Sequence, residues 1–392
     1  MPDSTKLDFL RKASRWILII GFIGLLWLPA LDSLFNLDKA PVPNENRAPA
    51  SFPAFTFSFS GIRSYVAGLE NYYNDHFGFR KQLIRWEHRW RRSLFNQSSL
   101  ADVITGREGW LYYSGERMIE NCRGMTRFET KELKDWQSLL ESRRDWLARR
   151  GIRYLFVIPP NKDSVYPEYL PEWMTKIRPT TKLDQFLAYM KTNSTVEILD
   201  LRPVLLEAKK SCPVYLYTDT HWNLYGAFVA HQELVRTLKR QLPDLDPLPL
   251  AAFEKTTHDD TQGGDLARML GQEQTLLEKN YPALDPQPPL QRLSITTDLN
   301  MIPGKKWNKL TDPAITENPS GKGRVIIFRD SFSGNWIPYL GYYFNKVFYL
   351  WEYNFEPAFI EQQKPDLVID EMLERFLYKE HPDKLKGLDG LK

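Results

Sequence analysis

The sequence predicts an α/β protein with a mostly parallel sheet flanked by helices, and three observations carry that prediction. Short apolar segments of strand length alternate with longer amphipathic ones along most of the 392 residues. The breaks between them carry stop signals, such as Gly151 after one helical segment and the proline-rich stretch 242–249 after another. No internal repeat or low-complexity tract interrupts the pattern. The composition is that of a globular chain, 26% charged and 14% aromatic with 12 Trp and 19 Tyr.

From the N-terminus, Lys6, Arg11, Lys12 and Arg15 precede an uncharged apolar run over 16–31, closed by Asp32. A basic flank before such a run marks a signal peptide or a single membrane anchor. The run falls slightly short of the roughly 20 residues of an average span, and extending it past Asp32 through Leu34, Phe35 and Leu37 supplies the length. Pro29-Ala30-Leu31 makes a poor cleavage site, so an uncleaved anchor over 16–37 is expected. Residues 1–15 then stay on the cytoplasmic side and the remaining chain is exported. Residues 38–55, rich in Pro, Asn and Ala, read as a linker. Residues 56–380 form the exported domain and 381–392 a C-terminal tail.

Within the exported part, 59–95 has helical periodicity with many aromatics. Two short strands are expected around the turn in 103–113. Residues 130–150 form an amphipathic helix with Leu133, Trp136, Leu140 and Leu147 on a related face. A strand at 153–158 ends in the loop Asn161-Lys162-Asp163-Ser164; a helix at 181–193 and a strand at 196–201 follow. Asp219-Thr220-His221 lies in a loop that opens a helix over 224–242. Residues 251–320 read as irregular, around a Gly263-Gly264-Asp265-Leu266 turn, and suit a lid, a substrate-binding insertion or a partner surface. Order returns with a strand at 324–328, a helix, a strand at 346–351, a helix at 355–363 and a strand at 366–369.

Two segments carry chemistry. Tyr217-Thr218-Asp219-Thr220-His221-Trp222-Asn223 offers a carboxylate and an imidazole two residues apart. Ile326-Ile327-Phe328-Arg329-Asp330-Ser331-Phe332-Ser333 offers a serine where a parallel strand stops. Ligands of open parallel sheets sit at such strand ends. Asp219 can fold back to the Nδ1–H of His221 and leave Nε2 for the hydroxyl of Ser331, the three parts of a serine nucleophile system. The plainer reading makes Asp330 and Ser331 helix caps and Asp219 a binder of free backbone donors. Asp330 is a poor acid for this system, because side chains of adjacent residues diverge.

The net charge of +3 and the absence of a basic stripe exclude a nucleic-acid partner. Two Cys and six scattered His give no metal-ligand spacing, and no cofactor motif is present. In an exported chain, Cys122 and Cys212 are candidates for one disulfide. His76, although next to Asp75, lies among aromatics ahead of the sheet and reads as structural; His88, His231 and His258 have no partner motif.

The chain also resembles the alginate O-acetyltransferase AlgJ/AlgX family, whose fold is similar to that of the SGNH (GDSL-type) hydrolases. The landmarks run from about Asn44 to Leu377. They are Glu45-Asn46-Arg47, Asp75-His76-Phe77-Gly78-Phe79-Arg80, Gly109-Trp110-Leu111-Tyr112, Asn161-Lys162 with Tyr166-Pro167, Asp219-Thr220-His221-Trp222, Asp330-Ser331-Phe332-Ser333, and Lys364-Pro365-Asp366 with Glu374-Arg375-Phe376. The resemblance implies a triad of Asp219, His221 and Ser331, in a motif order permuted relative to ordinary SGNH hydrolases, which place the serine first. Arg329 stands where the hydrolase signature has Gly, which implies a different turn or a guanidinium near the substrate. The backbone N–H of Ser331 is the first expected oxyanion donor. Asn161, Lys162 and Tyr353, at other strand ends, are candidates for the second.

By the same resemblance the expected activity is O-acetylation of an exopolysaccharide through an acetyl-serine, carried out in the periplasm from a single inner-membrane anchor. The implied partners are a polysaccharide acceptor, a multi-pass membrane acyltransferase that supplies acetyl groups, and a polysaccharide synthesis and export complex. Two other readings stay open: an acetylesterase using the same triad, and a non-catalytic polysaccharide-binding subunit of an export complex.

Overall fold

The computed structural model describes residues 4–35, 37, 50–53, 55, 57, 59–79, 82, and 102–385 apart from 175, 289, 291, 292, 303, 304, 306 and 308–310. Most of the expected linker, the second half of the 59–95 segment and the end of the C-terminal tail lie outside the described residues. The chain forms two compact units, Met1–Ala101 with Arg268–Gln272, and Asp102–Ala267 with Glu273–Lys392.

The first unit contains helices α1 (Ser4–Phe35), with Pro29 inside it, and α2 (Phe59–His76). Among the described residues no helix is long and apolar enough to cross a membrane. The Asp32 carboxylate accepts the Phe79 N–H at 2.7 Å, and Asp75 accepts the Ala50 N–H at 2.7 Å. The His76 ring lies 4.1 Å from that of Tyr72, stacked, with Nδ1 2.9 Å from the Tyr72 carbonyl. His76 is therefore engaged with its own helix rather than paired with Asp75.

The second unit opens with an antiparallel pair, β1 (Val103–Thr105) and β2 (Leu111–Tyr113), and is built on a seven-stranded mixed sheet ordered β4-β3-β11-β9-β10-β8-β7, whose last two strands are β8 (Ala314–Glu317) and β7 (Ile295–Thr296). Its five parallel strands are β3 (Arg153–Ile158), β4 (Ile198–Asp200), β9 (Arg324–Arg329), β10 (Lys346–Trp351) and β11 (Leu367–Glu371). They are apolar at nearly every position because both sheet faces are covered. Leu155, Val157, Val325, Ile327, Val347, Tyr349, Leu367 and Ile369 point to one face. There they pack with Leu205, Trp222, Phe228, Leu234, Phe332 and Trp336. Phe156, Ile158, Ile326, Phe328, Phe348, Leu350 and Val368 point to the other, against Leu133, Trp136, Leu140, Phe186, Phe359 and Ile360. Each such side chain contributes about 1.5–3 kcal/mol on burial. Truncating the fully buried Ile327 costs about 2–5 kcal/mol, because a cavity remains.

The covering helices follow the sequence pattern closely. Thr130–Ala148 begins with a reciprocal box between Glu129 and Glu132, and Lys182–Asn193 with one between Thr181 and Asp184. Leu224–Lys239 is capped by Asn223, whose side chain accepts the Gly226 N–H at 2.8 Å. Gly226 has to be glycine, since a Cβ there would lie 2.1 Å from the Val214 carbonyl oxygen.

The segment 251–320 is more ordered than its composition suggests. β5 (Phe253–His258) and β6 (Tyr281–Pro286) form an antiparallel pair. β7 (Ile295–Thr296) and β8 (Ala314–Glu317) extend the main sheet antiparallel to β10. Prolines at both ends of β6 and charged residues along β5 hide the pair from a pattern search.

The expected disulfide is not formed: Cys122 and Cys212 are free and buried. Cys122 packs with Tyr112, Met118, Leu170 and Met174, and burial pushes its thiol pKa up. Cys212 follows the helix Arg202–Ala208, where its N–H bonds to the Ala208 carbonyl.

Candidate functional site

Ser331 and the candidate oxyanion donors lie where parallel strands end. β9 runs into Asp330 and Ser331, β3 into Asn161 and Lys162, β10 into Tyr353, and β11 into Glu374 and Arg375. Ser331 sits at the start of a short 3₁₀ turn, Phe332–Trp336, with φ −67° and ψ −27°. Asp330 fixes this turn. Its carboxylate accepts the N–H groups of Phe332 at 2.9 Å and Leu373 at 2.8 Å and the Tyr353 hydroxyl at 2.9 Å, while its own N–H donates to Glu371 at 3.0 Å.

The opposing loop carries Asp219 and His221. It is tied to the serine loop through Trp222, fully buried, whose indole N–H donates to the Phe332 carbonyl at 3.1 Å. The Phe332 ring packs 4.9 Å from the His221 ring. Across this clamp the Ser331 Oγ stands 2.7 Å from His221 Nε2, and Asp219 Oδ1 stands 2.6 Å from His221 Nδ1. Asp219 Oδ1 also accepts the His221 N–H at 2.9 Å, which orients the carboxylate. The structure thus brings together three residues that are 2 and 110 positions apart in sequence. The arrangement gives a hydroxyl, a base with one free lone pair, and an acid that selects the tautomer.

Burial pulls the His221 pKa down, but the Asp219 charge and hydrogen bond, helped by Asp265, outweigh it, and the net shift is upward from 6.5. Asp219 is held below the usual carboxylate range: burial opposes ionisation, and His221 together with the backbone donors more than offsets it. The imidazole and the carboxylate are partly solvent-exposed, so a ligand can reach them. Asp219, His221 and Asp265 bring possible metal-ligand atoms within 4.8 Å of one another. Each is already engaged, Asp219 and His221 in the hydrogen bonds just described and the Asp265 carboxylate in accepting the Thr220 N–H and hydroxyl.

The other candidates divide. Lys162 is buried, and its ammonium donates to three carbonyls, of Leu111 at 2.7 Å, Tyr217 at 2.9 Å and Asp219 at 2.9 Å. An ammonium has three N–H groups, so none is left for a ligand. Burial draws its pKa down to about 7 against Glu278, Asp219 and Asp265. Arg329 is also buried, with Nη1 on the Asp330 carbonyl at 2.9 Å and its guanidinium 5.2 Å from the Trp351 ring centroid. It supports the serine loop from below. The Tyr353 hydroxyl is committed to Asp330. Asn161 gives its side-chain oxygen to the Arg375 N–H at 3.2 Å, and it borders a cavity of about 10 Å³ with Thr220 and Arg375. Among the described residues, no protein group accepts from its amide N–H₂ group or from the Ser331 N–H, and on the serine loop the buried Arg329 Nε and Ser333 Oγ also lack a partner.

Sequence reasoning did not anticipate the support from the far segment. Glu278 accepts the Tyr217 N–H at 3.1 Å and both the N–H and the hydroxyl of Thr218. Gly264 donates to Thr218 Oγ1 at 2.9 Å, and Asp265 donates its N–H to Asp219 Oδ2 at 2.8 Å. Only the adjacent glycines in the Gly263-Gly264-Asp265 turn signalled a close approach of backbones.

A family described as an SGNH hydrolase-like domain, acetyltransferase AlgX, matches residues 103–298, half of the chain. The chain belongs to this family. The matched stretch holds Lys162, Asp219, His221 and Asp265 and ends before Ser331. A probable alginate O-acetylase AlgJ of Pseudomonas aeruginosa is 25% identical over 233 residues, 59% of this chain and 56% of that protein. The protein of the same name in Pseudomonas putida is 32% identical over 181 residues, 45% of this chain and 44% of that protein. The chain thus spans about half the length of these relatives. Bacillus cereus PatB1 superposes with a TM-score of 0.53 at 17% identity, over 72% of this chain and 99% of that one, and shares the fold. The SGNH hydrolase-like fold expected from sequence is the one observed, with a mixed sheet flanked by helices.

Proposed function

We propose that this protein is an O-acetyltransferase that modifies an exopolysaccharide through an acetyl-serine intermediate. The observation that carries the reading is the chain of contacts Asp219–His221–Ser331, with separations of 2.6 and 2.7 Å. His221 Nε2 takes the Ser331 proton as Oγ attacks the acetyl carbonyl of an ester donor. The tetrahedral adduct collapses, the proton returns to the leaving oxygen, and acetyl-Ser331 remains. A sugar hydroxyl, deprotonated by the same His221, then attacks the acetyl carbon, and expulsion of Ser331 Oγ with its proton restored completes the transfer. Ser331 N–H and the Asn161 amide are the groups we assign to the oxyanion.

Membership of a family described as acetyltransferase and the names of the AlgJ relatives support acetyl transfer to a polysaccharide. In this proposal 16–37 is an inner-membrane anchor, supported by its uncharged run behind four basic residues, and 56–380 works in the periplasm. A multi-pass membrane acyltransferase provides the acetyl group, and a polysaccharide synthesis and export complex presents the acceptor. Transfer in water requires the acceptor hydroxyl to be held in place, and effective molarities of roughly 10⁵ M or more are attainable by positioning.

The test is an acetyl ester donor offered with and without uronic-acid and neutral oligosaccharides, measuring acetylated sugar and free acetate together. Sugar acetylation that exceeds acetate release and vanishes in His221→Ala is expected. Acetate release indifferent to any sugar would replace the transferase with an esterase. Polymer acetylation that survives Ser331→Ala would leave only a binding role.

A further inference from the structure

The turn Gly263-Gly264-Asp265 reaches the back of the acid–base pair from a segment 44 residues beyond His221 in the chain. Gly264 lies so close to Asp219 that a Cβ there would be 2.4 Å from its Cβ and 2.6 Å from its Oδ2. Gly263 meets the Leu276 carbonyl oxygen at 1.9 Å in the same sense. This closeness lets the Asp265 N–H donate to Asp219 Oδ2 at 2.8 Å, filling the oxygen that His221 does not use. The Asp265 carboxylate is locked by Thr220, whose N–H donates to Oδ1 at 2.7 Å and whose hydroxyl donates to Oδ2 at 2.5 Å. Locked in this way, Oδ2 stands 3.8 Å from His221 Nδ1.

From this geometry we infer that Asp265 is a second carboxylate of the acid–base system, a positioning residue that holds Asp219 through its N–H and stabilises the charged imidazole of His221 through its side chain. The inference rests on the triad reading and deepens it. An imidazolium formed when Ser331 gives up its proton faces Asp219 at hydrogen-bond distance and Asp265 one atom layer behind. Three other charged groups lie around the pair. Lys162 holds the Asp219 carbonyl, Glu278 holds the N–H groups of Tyr217 and Thr218, and Arg375 opposes a positive His221 from the end of β11. The carboxylates near Nδ1 are those of Asp219 at 2.6 Å and Asp265 at 3.8 Å, the latter with its pKa pushed up by burial and by Asp219. The segment 251–320 therefore contributes part of the acid–base apparatus and is more than a lid or a partner surface.

The experiment follows the His221 imidazole in the full-length chain by nitrogen-15 NMR across pH, with His221→Gln assigning the signal. In parallel, the pH profile of Ser331 sulfonylation by a sulfonyl fluoride is measured. Asp265→Asn keeps the shape of the side chain and removes its charge. The His221 titration is expected to fall by about one pH unit, the effect of a charge near 4 Å in well-screened surroundings. The acidic limb of the sulfonylation profile should fall with it. Thr220→Val keeps the charge and removes one bond to it, and its titration should stay at or above that of the wild type. An unmoved titration in Asp265→Asn, or an equal drop in Thr220→Val, would overturn the inference. A lowered His221 titration in Asp265→Asn, together with a wild type that forms no serine adduct, would sink the acyl-transfer reading and leave the hold of Asp265 on His221 standing.

Discussion

Gly264→Ala places one methyl group where the structure leaves no room. Its Cβ would start 2.4 Å from that of Asp219, against the 3.4 Å at which ordinary contact begins, so about 1 Å of displacement is required. The neighbour cannot simply rotate aside, because Asp219 is held by the His221 N–H and Nδ1, by the Asp265 N–H and, through its carbonyl, by Lys162. A misplacement of about 1 Å in a catalytic array costs roughly 10²-fold in rate, and crowding in a packed site costs about 1–3 kcal/mol of stability. For a unit of this size that is a drop of several degrees in Tm, so the variant remains folded at assay temperature. The assay is the rate of acetyl release from an activated ester at saturating donor, together with a thermal melt. A folded Gly264→Ala protein with wild-type turnover would show that the turn does not set the position of Asp219, and the argument for the acid–base loop would fail.

Ser331→Ala removes the hydroxyl from a half-buried site and should lower turnover by about 10⁴-fold or more with Tm nearly unchanged. Since His221 acts as a base only when neutral and its folded pKa is raised above 6.5, turnover should rise with pH through an acidic limb lying above that value, visible in kcat/KM between pH 5 and 9. The same upward shift makes the contribution of His221 to stability fully present below the unfolded pKa and lost as pH rises through the folded one, which His221→Gln should abolish in urea titrations. Lys162→Met leaves the Leu111, Tyr217 and Asp219 carbonyls without their donor, and should cost about 3 kcal/mol, or roughly 6–12 °C in Tm by calorimetry. With both cysteines free, denatured protein should take up two equivalents of alkylating reagent without prior reduction, and dithiothreitol should leave Tm unmoved.

The core strands were legible because burial on both faces forces continuous apolar segments. The strand 346–351 and the helix ending before Gly151 could be read directly from such runs and stop signals. The spacing of Asp219 and His221 was equally informative, because two residues in a curved loop put a carboxylate on the ring nitrogen. What the sequence hid was anything decided by depth or by distant contact. Lys162 stands beside Asn161 at a strand end and looks like a substrate ligand, but its burial spends all three N–H groups on carbonyls. Arg329 reads as a sign of a different turn or of a guanidinium near the substrate, and sequence does not show its burial against Trp351 with Nη1 on the Asp330 carbonyl. The support from Asp265 and Glu278 depends on a fold that returns a polar, proline-marked segment to the Asp219 loop, and no periodicity encodes that return. The two cysteines look pairable because sequence carries no distance.

The central claim is that Ser331 carries the acetyl group. The most direct measurement is the intact mass of the full-length chain after brief exposure to an activated acetyl ester, followed by peptide mapping and then addition of oligosaccharide. The account predicts one acetyl group on Ser331, absent in Ser331→Ala, that is lost to the sugar faster than to water. A folded protein that gains no acetyl group from the ester, or gains it on a residue other than Ser331, would contradict it.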